Sequence, residues 1–432
     1  MPFYPRRQPL GLIPHDAYLR ITSDASLRQF QHHPNVRVAG ATAFREMQEY
    51  ILAHNAQIDV VHSFEDAAGQ IFDCVPIEQQ PSLRGKQQTI HTPRDLTALS
   101  RNGRADQGHL PLAKDFNSAA LDRHGNPRQA PSGTIPMRRV RLEDLIRFEN
   151  LRSFFRKHPN AAVASAAITR TRPTAPSPDE RQNHRYAVGF QSIGNIGGHS
   201  AVSVYGPSVN SNEIFSLAQH WYSGGSGANL QTVEVGWQAF PKHYGVASPC
   251  LFIFWTADAY QTGGAYNLEQ PGFVQVNSNV QIGGARDATV QSGVAPEEME
   301  ITVYLIAGEG WWLYLDGLDS NAAVGYYPIS LFGSGQMATS ADQIEYGGET
   351  VSGDPPSGDW GAMGSGAWAN DGWQAAAYHR AVWYWDTTGA SNWASLNEFT
   401  PASPCYTFNG GFDSTGSWGT YFFFGGPGGG DC

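Results

Sequence analysis

The sequence predicts a mainly β protein: an antiparallel β-sandwich over residues 186–432, preceded by a smaller α+β domain. Three observations predict it. The chain holds 48 glycines and 27 prolines, with 12% aromatic and only 16% charged residues, a mix suited to strands and turns. From Tyr186 onward, short alternating runs repeat between glycine-rich turns. The charge also divides sharply: residues 1–185 carry 25 Lys and Arg against 18 Asp and Glu, whereas residues 186–432 carry only Lys242, Arg286 and Arg380 against 21 acids. A formal net charge of -11 argues against a general nucleic-acid binder.

Along the chain, residues 1–40 are polar and Pro-containing and are expected to be loosely ordered. ATAFREMQEYILAH (40–54) reads as an amphipathic helix. IDVVHSFEDAAGQIFDCVPI (58–77) reads as a hairpin turning near Ala68 and Gly69. Residues 84–130 read as long loops, and 133–157 as an extended start that becomes one basic helix. RTRPTAPSPDERQNHR (170–185) is a Pro-rich polar run, expected to be an exposed, extended linker. It coincides with the charge boundary, so the predicted domains are 1–169 and 186–432. In the second domain, YAVGFQSI, HSAVSVYG, EIFSLAQHW, LQTVEVGWQAF, CLFIFWTADAY, GFVQVNSNVQI, MEITVYLIA, GWWLYLDG, VGYYPISLF, QIEYGGETV, AAAYHRAVWYW and GTYFFFGG read as strands. With no internal repeat, the spacing favours a sandwich over a barrel. The opposed charges predict two domains that attract each other at neutral pH and loosen in acid. No run is long enough to span a membrane, and the opening residues lack the apolar core of a signal peptide.

Familiar hydrolytic signatures are missing. HExxH does not occur, GGSGA (224–228) and MGSGAW (363–368) read as turns, and GGPGGG (425–430) lacks the Lys and helix of a phosphate loop. Four cysteines, Cys74, Cys250, Cys405 and Cys432, show no zinc spacing. What remains is carboxylates set in strands. In TVEVGWQAF, Val233, Val235 and Trp237 share one face, while Thr232, Glu234 and Gln238 share the other. In QIEYGGETV, Glu345, Gly347 and Glu349 share a face. Two carboxyl groups across a concave sheet suit acid hydrolysis: the ionised one activates water and the protonated one donates to the leaving group. A strand glutamate facing outward is more often solvated surface, and the many aromatics are more often core than site. A non-catalytic carbohydrate- or cell-wall-binding sandwich therefore stays open as the alternative, as does a serine hydrolase with an unrecognised site.

Beyond this chemistry, EVGWQAFPKHYG followed by LFIFWTADAYQTGGAYNLEQPGFVQVN resembles the neprosin family of glutamic endopeptidases. The resemblance extends through GWWLYLDG, IEYGGETV, AMGSGAW, CYTF and YFFFGGPGGGDC. Upstream, FDCVPIEQQPSL and GTIPMRR with EDLIR resemble the family's activation domain. The resemblance implies a secreted, acid-active peptidase made as a zymogen, with no cofactor or metal, acting on proline-containing peptides or proteins. It implies Glu234 as the first catalytic glutamate and Glu349 as the second, with Glu345 the other candidate on the same face. Gln219, on the neighbouring strand, is expected to serve the oxyanion, and Trp237 and Tyr346 to contact substrate. Cys405 and Cys432 match the family's C-terminal pair. The N-terminal domain is expected to act as the chain's own inhibitor, with Pro173, Pro176 and Pro178 as processing sites. The sequence departs from plant members at Ala265 and Gln270, which stand where those members have a cysteine pair, and Ser132 stands where many relatives have cysteine.

Overall fold

The computed structural model describes residues 9–84, 89–100, 120–157, 183–209, 213–261, 264–289, 293–352, 360–401, 404–430 and 432. The N-terminal domain opens with a helix, α1 (His15–Asp24), where loose order was expected. Its cause is Tyr18, which is buried, donates its hydroxyl to the Val140 carbonyl at 2.5 Å and lies 5.1 Å beneath the Arg139 guanidinium. In α2 (Ala41–His54), Phe44, Met47 and Ile51 fall at helical spacing and form one buried stripe. The hairpin expected over 58–77 is present as β1 (His62–Glu65) and β2 (Ile71–Pro76), and β3 (Thr134–Arg138) adds a third strand. The single basic helix expected up to residue 157 is instead two short ones, α3 (Leu142–Leu145) and α4 (Leu151–Phe155). They are separate because Asn150 caps the second, accepting from Ser153 N at 2.9 Å.

The second domain is built of β4 (His184–Ser203), β5 (Glu213–Gly224), β6 (Gln231–Ala239), β7 (Cys250–Thr256), β8 (Ala265–Tyr266), β9 (Val274–Gln275), β10 (Glu298–Ile306), β11 (Gly310–Leu315), β12 (Ala323–Pro328), β13 (Ala341–Ser352), β14 (Ala377–Asp386), β15 (Ser391–Trp393), β16 (Asn397–Phe399), β17 (Thr407–Asp413) and β18 (Gly419–Gly425). Every pairing is antiparallel, and the main strand order is β8-β7-β6-β5-β13-β4-β10-β11-β12-β9. The runs YAVGFQSI and HSAVSVYG are one long strand, β4, rather than two. Its first half pairs with β13 and β16 and its second half with β10 and β14, so β4 belongs to both layers. The run GFVQVNSNVQI yields only the two-residue β9.

The layers enclose a core of Val233, Val235, Trp237, Leu251 and Ile253 on one side and Met299, Ile301, Val303, Trp311 and Leu313 on the other. Both outer faces are covered as well. Phe44, Met47, Ile51, Leu145, Phe148 and Phe154 of the N-terminal domain pack with Leu217, Trp221, Phe252 and Phe254 on the β5–β7 layer. Leu83 and Leu96 pack with Trp312, Tyr314 and Tyr326 on the β10–β12 layer. The expected disulfide is present between Cys405 and Cys432, whose Cα atoms are 5.6 Å apart. Cys74 and Cys250 are buried and form no disulfide.

Candidate active site

Glu234 sits in the middle of β6 with no exposed surface. Its strand neighbour β5 lies between β6 and β13, so Gln219 faces Gly236 on one side and Gly347 on the other. Both flanking positions require glycine. A Cβ at Gly236 would meet Ala218 O at 2.1 Å, and one at Gly347, where φ is 143°, would meet Ala187 O at 2.4 Å. The row Gly236–Gln219–Gly347 thus keeps an open floor around one amide side chain. Glu234 stands diagonally on one flank, opposite Trp221, and Glu349 on the other, opposite Leu217.

The Glu234 carboxylate accepts hydrogen bonds from Tyr260 Oη at 2.6 Å, Thr232 Oγ1 at 3.0 Å and Gln219 Nε2 at 3.0 Å. Three donors thus converge on one carboxylate. Tyr260 is held there by strained backbone: Ala259 and Tyr260 have φ of 59° and 62°, in the left-handed region. Burial, and then the Glu234 charge, push its hydroxyl pKa well above the usual value, so Tyr260 acts as a donor. Glu349 accepts at Oε1 from His184, whose Nδ1 lies 2.7 Å away at the start of β4.

Between the two glutamates lies Lys157, from the N-terminal domain. Its side chain is 1% exposed. Nζ pairs with Glu234 Oε2, donates to Gln219 Oε1 at 3.2 Å and stands 3.7 Å from Glu349 Oε2. Its ammonium lies over the rings of Trp221, Phe252 and Phe254, with Nζ 5.5, 5.7 and 5.9 Å from their centroids. The one buried ammonium offsets one of the two carboxylate charges, which lowers the cost of burying the cluster.

Of the residues expected at the site, Glu234, Glu349 and Gln219 are brought together. Glu345 lies across Trp221 from Glu234 and accepts from Gln343 Nε2. Trp237 and Tyr346 correct the expectation of substrate contact. Both lie on the opposite face, buried in the core: Trp237 Nε1 donates to Ser203 O at 2.9 Å, and the Tyr346 ring packs on His220 at 4.6 Å. Pro173, Pro176 and Pro178 lie outside the described residues. The end of the expected linker is not exposed. Asn183 and His184 are buried, and His184 already belongs to β4. Sequence reasoning missed Lys157, Tyr260 and His184. For Lys157 the basic run ending at residue 157 was the available signal; Tyr260 and His184 carried none.

A Ser–His contact does exist, between Ser200 Oγ and both His220 Nε2 at 2.7 Å and His379 Nδ1 at 2.9 Å. All three residues have no exposed surface, and burial pushes both imidazoles down, so this is a neutral network sealed in the core.

The Neprosin family model matches residues 212–427, and the neprosin activation peptide model matches residues 63–190. Among solved structures, the chain is similar to scytalido-glutamic peptidase bound to a transition state analog inhibitor, with 10% identity, 57% of this chain and 98% of that one covered, and a TM-score of 0.32. It is also similar to SCP-B, a member of the Eqolisin family of peptidases in complex with the tripeptide Ala-Ile-His, with 9% identity, the same coverage and a TM-score of 0.26.

Proposed function

The chain belongs to the neprosin family and carries that family's activation peptide ahead of its sandwich domain, and on this premise we propose that it is the zymogen of an acid-active glutamic endopeptidase cleaving after proline. The observation that carries the reading is the buried ammonium of Lys157 between Glu234 and Glu349. A lysine there ties up both carboxylates and occupies the position a substrate amide and its attacking water need.

Once Lys157 is withdrawn, two close carboxylates share one proton and titrate as a unit. Glu234, held in place by Tyr260, Thr232 and Gln219, serves as the base and takes a proton from the attacking water. Glu349 then carries the shared proton to the leaving nitrogen, and His184 orients its other oxygen. The Gln219 amide keeps one Nε2 hydrogen on Glu234 and donates the other to the developing oxyanion. The aromatic rings beneath the lysine ammonium suit a proline ring as well. The N-terminal domain is the intramolecular inhibitor, processing falls at Pro173, Pro176 or Pro178, and the C-terminal disulfide fits a secreted protein.

The test is peptide cleavage mapped by mass spectrometry between about pH 2 and about pH 7, for wild type, Glu234→Gln, Glu349→Gln and Glu345→Gln. Acid-dependent cuts after proline that disappear in the first two variants and persist in the third support the reading. Cleavage abolished by Glu345→Gln but not by Glu349→Gln moves the pair. Absence of cleavage by wild type at every pH, with ligand binding unaltered by Glu234→Gln, favours a carbohydrate-binding sandwich instead.

A further inference from the structure

The outer face of the β10–β12 layer is not built like a solvent face. Alternation sends Trp311, Leu313 and Leu315 into the core and leaves Trp312 and Tyr314 outward, joined by Tyr326 of β12 and by Tyr304 and Trp385, whose rings meet at 4.7 Å. Residues 89–100 of the N-terminal domain cover this face, crossing from β12 over β11 to β14. Outside one short turn (Thr97–Leu99), the segment has no secondary structure of its own. Its attachment is mostly through its main chain. Tyr326 Oη donates to Thr89 O at 3.3 Å, Tyr314 Oη to Arg94 O at 3.0 Å, and Trp385 Nε1 to Leu99 O at 2.9 Å. Leu96 N donates to Leu318 O at 2.8 Å, and the Leu96 side chain is buried among Trp312, Tyr314 and Tyr326. One side chain is read by charge: Arg94 pairs with Glu309, which Trp312 Nε1 holds at 3.1 Å.

Aromatic rings whose polar ends donate to carbonyls recognise an extended chain with little regard to its side chains. The strap is such a chain already bound. Resting on the zymogen reading, we propose that this face is a second peptide-binding site of the processed enzyme. The strap occupies it in the latent chain, and after the N-terminal domain departs it holds an extended segment of the substrate polypeptide remote from the scissile bond, with a basic residue at Glu309. The consequence is a preference for long, unfolded substrates over short peptides.

Two measurements on the full chain test this. In the first, Leu96→Asp, with Leu96→Ala as a milder form, weakens the strap in cis, and a fluorescent peptide of residues 89–99 is added in trans. The expected result is saturable polarisation, at least tenfold weaker when Tyr314→Phe and Tyr326→Phe are added, with hydrogen exchange of residues 310–315 unchanged. No saturable binding to either strap variant with that sheet intact overturns the proposal. In the second, processed wild type and processed Tyr314→Phe/Tyr326→Phe are given a short peptide and a long unfolded polypeptide. The expected result is a several-fold rise in KM for the long substrate alone, with kcat unchanged; equal constants on both substrates overturn it. If neither substrate is cut, the peptidase reading fails, and binding of the added peptide still decides this one.

Discussion

Tyr260 reaches Glu234 only because two consecutive non-glycine residues, Ala259 and Tyr260, adopt left-handed backbone. Such strain persists where surrounding contacts enforce it; here Ala259 N donates to Leu230 O at 3.0 Å and Tyr260 N to Thr256 Oγ1 at 3.0 Å. Tyr260→Phe keeps the ring and removes a donor to the ionised carboxylate. Losing that donor loosens the hydrogen-bonded hold on the carboxylate, so kcat should fall about tenfold to a hundredfold. A kcat unchanged from wild type would remove Tyr260 from the mechanism. At this scale the sequence was informative where a residue broke its own pattern. Glu234 stood out as a carboxylate inside an apolar strand, and Glu349 beside Glu345. Tyr260 and His184 act through contacts between segments far apart in the chain, which no local pattern encodes. Trp237 and Tyr346 misled because large aromatics near a site attract attention, while their strand parity had already assigned them to the other face.

β4 is the element on which both layers depend. Its change of partners occurs around Gly197 and Gly198, where φ at Gly197 is 130° and a Cβ would lie 2.0 Å from Val303 O. Gly197→Ala should therefore cost about 3 kcal/mol or more, since neither backbone can yield; urea denaturation of the full chain measures it. A loss below about 0.5 kcal/mol would show that the bend relaxes cheaply. The strands themselves were legible as short alternating runs between glycine turns. What alternation could not show was that β5–β7 and β10–β12 are covered on their outer faces too, because the covering elements come from the N-terminal domain. The extended start of the 133–157 segment is present as a strand, and the one helix expected after it is divided by a cap that is a single side-chain hydrogen bond, from Ser153 N to Asn150 Oδ1.

Across the whole molecule, the charge asymmetry predicted attraction between domains, and buried ion pairs do cross the interface. Arg138 Nη2 of the N-terminal domain binds Glu269 at 2.5 Å, a carboxylate that His243 Nε2 of its own domain also holds at 2.9 Å, and Lys157 pairs across the interface with Glu234. The apolar clusters run without a break between the domains too, which charge counting could not reveal. Burial alone would raise the pKa of the Glu269 carboxyl, but His243 and Arg138 outweigh it and hold it at about 2. Its folded pKa is therefore depressed, and its contribution is present above about pH 4.5 and lost as the pH falls toward 2. Glu269→Gln should let processing of the full chain begin at a higher pH than in wild type, read by gel after incubation across the range; an unshifted onset would show that this pair does not restrain release. Buried His199 and His379 act in the same direction. Burial holds both at about 3, so the unfolded chain binds more protons below about pH 6.5, and stability declines from there down to about pH 3. Melting of inactive Glu234→Gln chain at about pH 7, 5 and 3 should fall at each step, and a flat response would refute it. Lys157 adds a consequence of mass action. While the chain is whole, the ammonium and the carboxylates meet at an effective concentration that no dilution changes. Once the chain is cut, the same contact becomes an encounter between two molecules, whose occupancy follows their amounts in solution. A crowded compartment would keep the cut enzyme silent, and release into a large volume would start it.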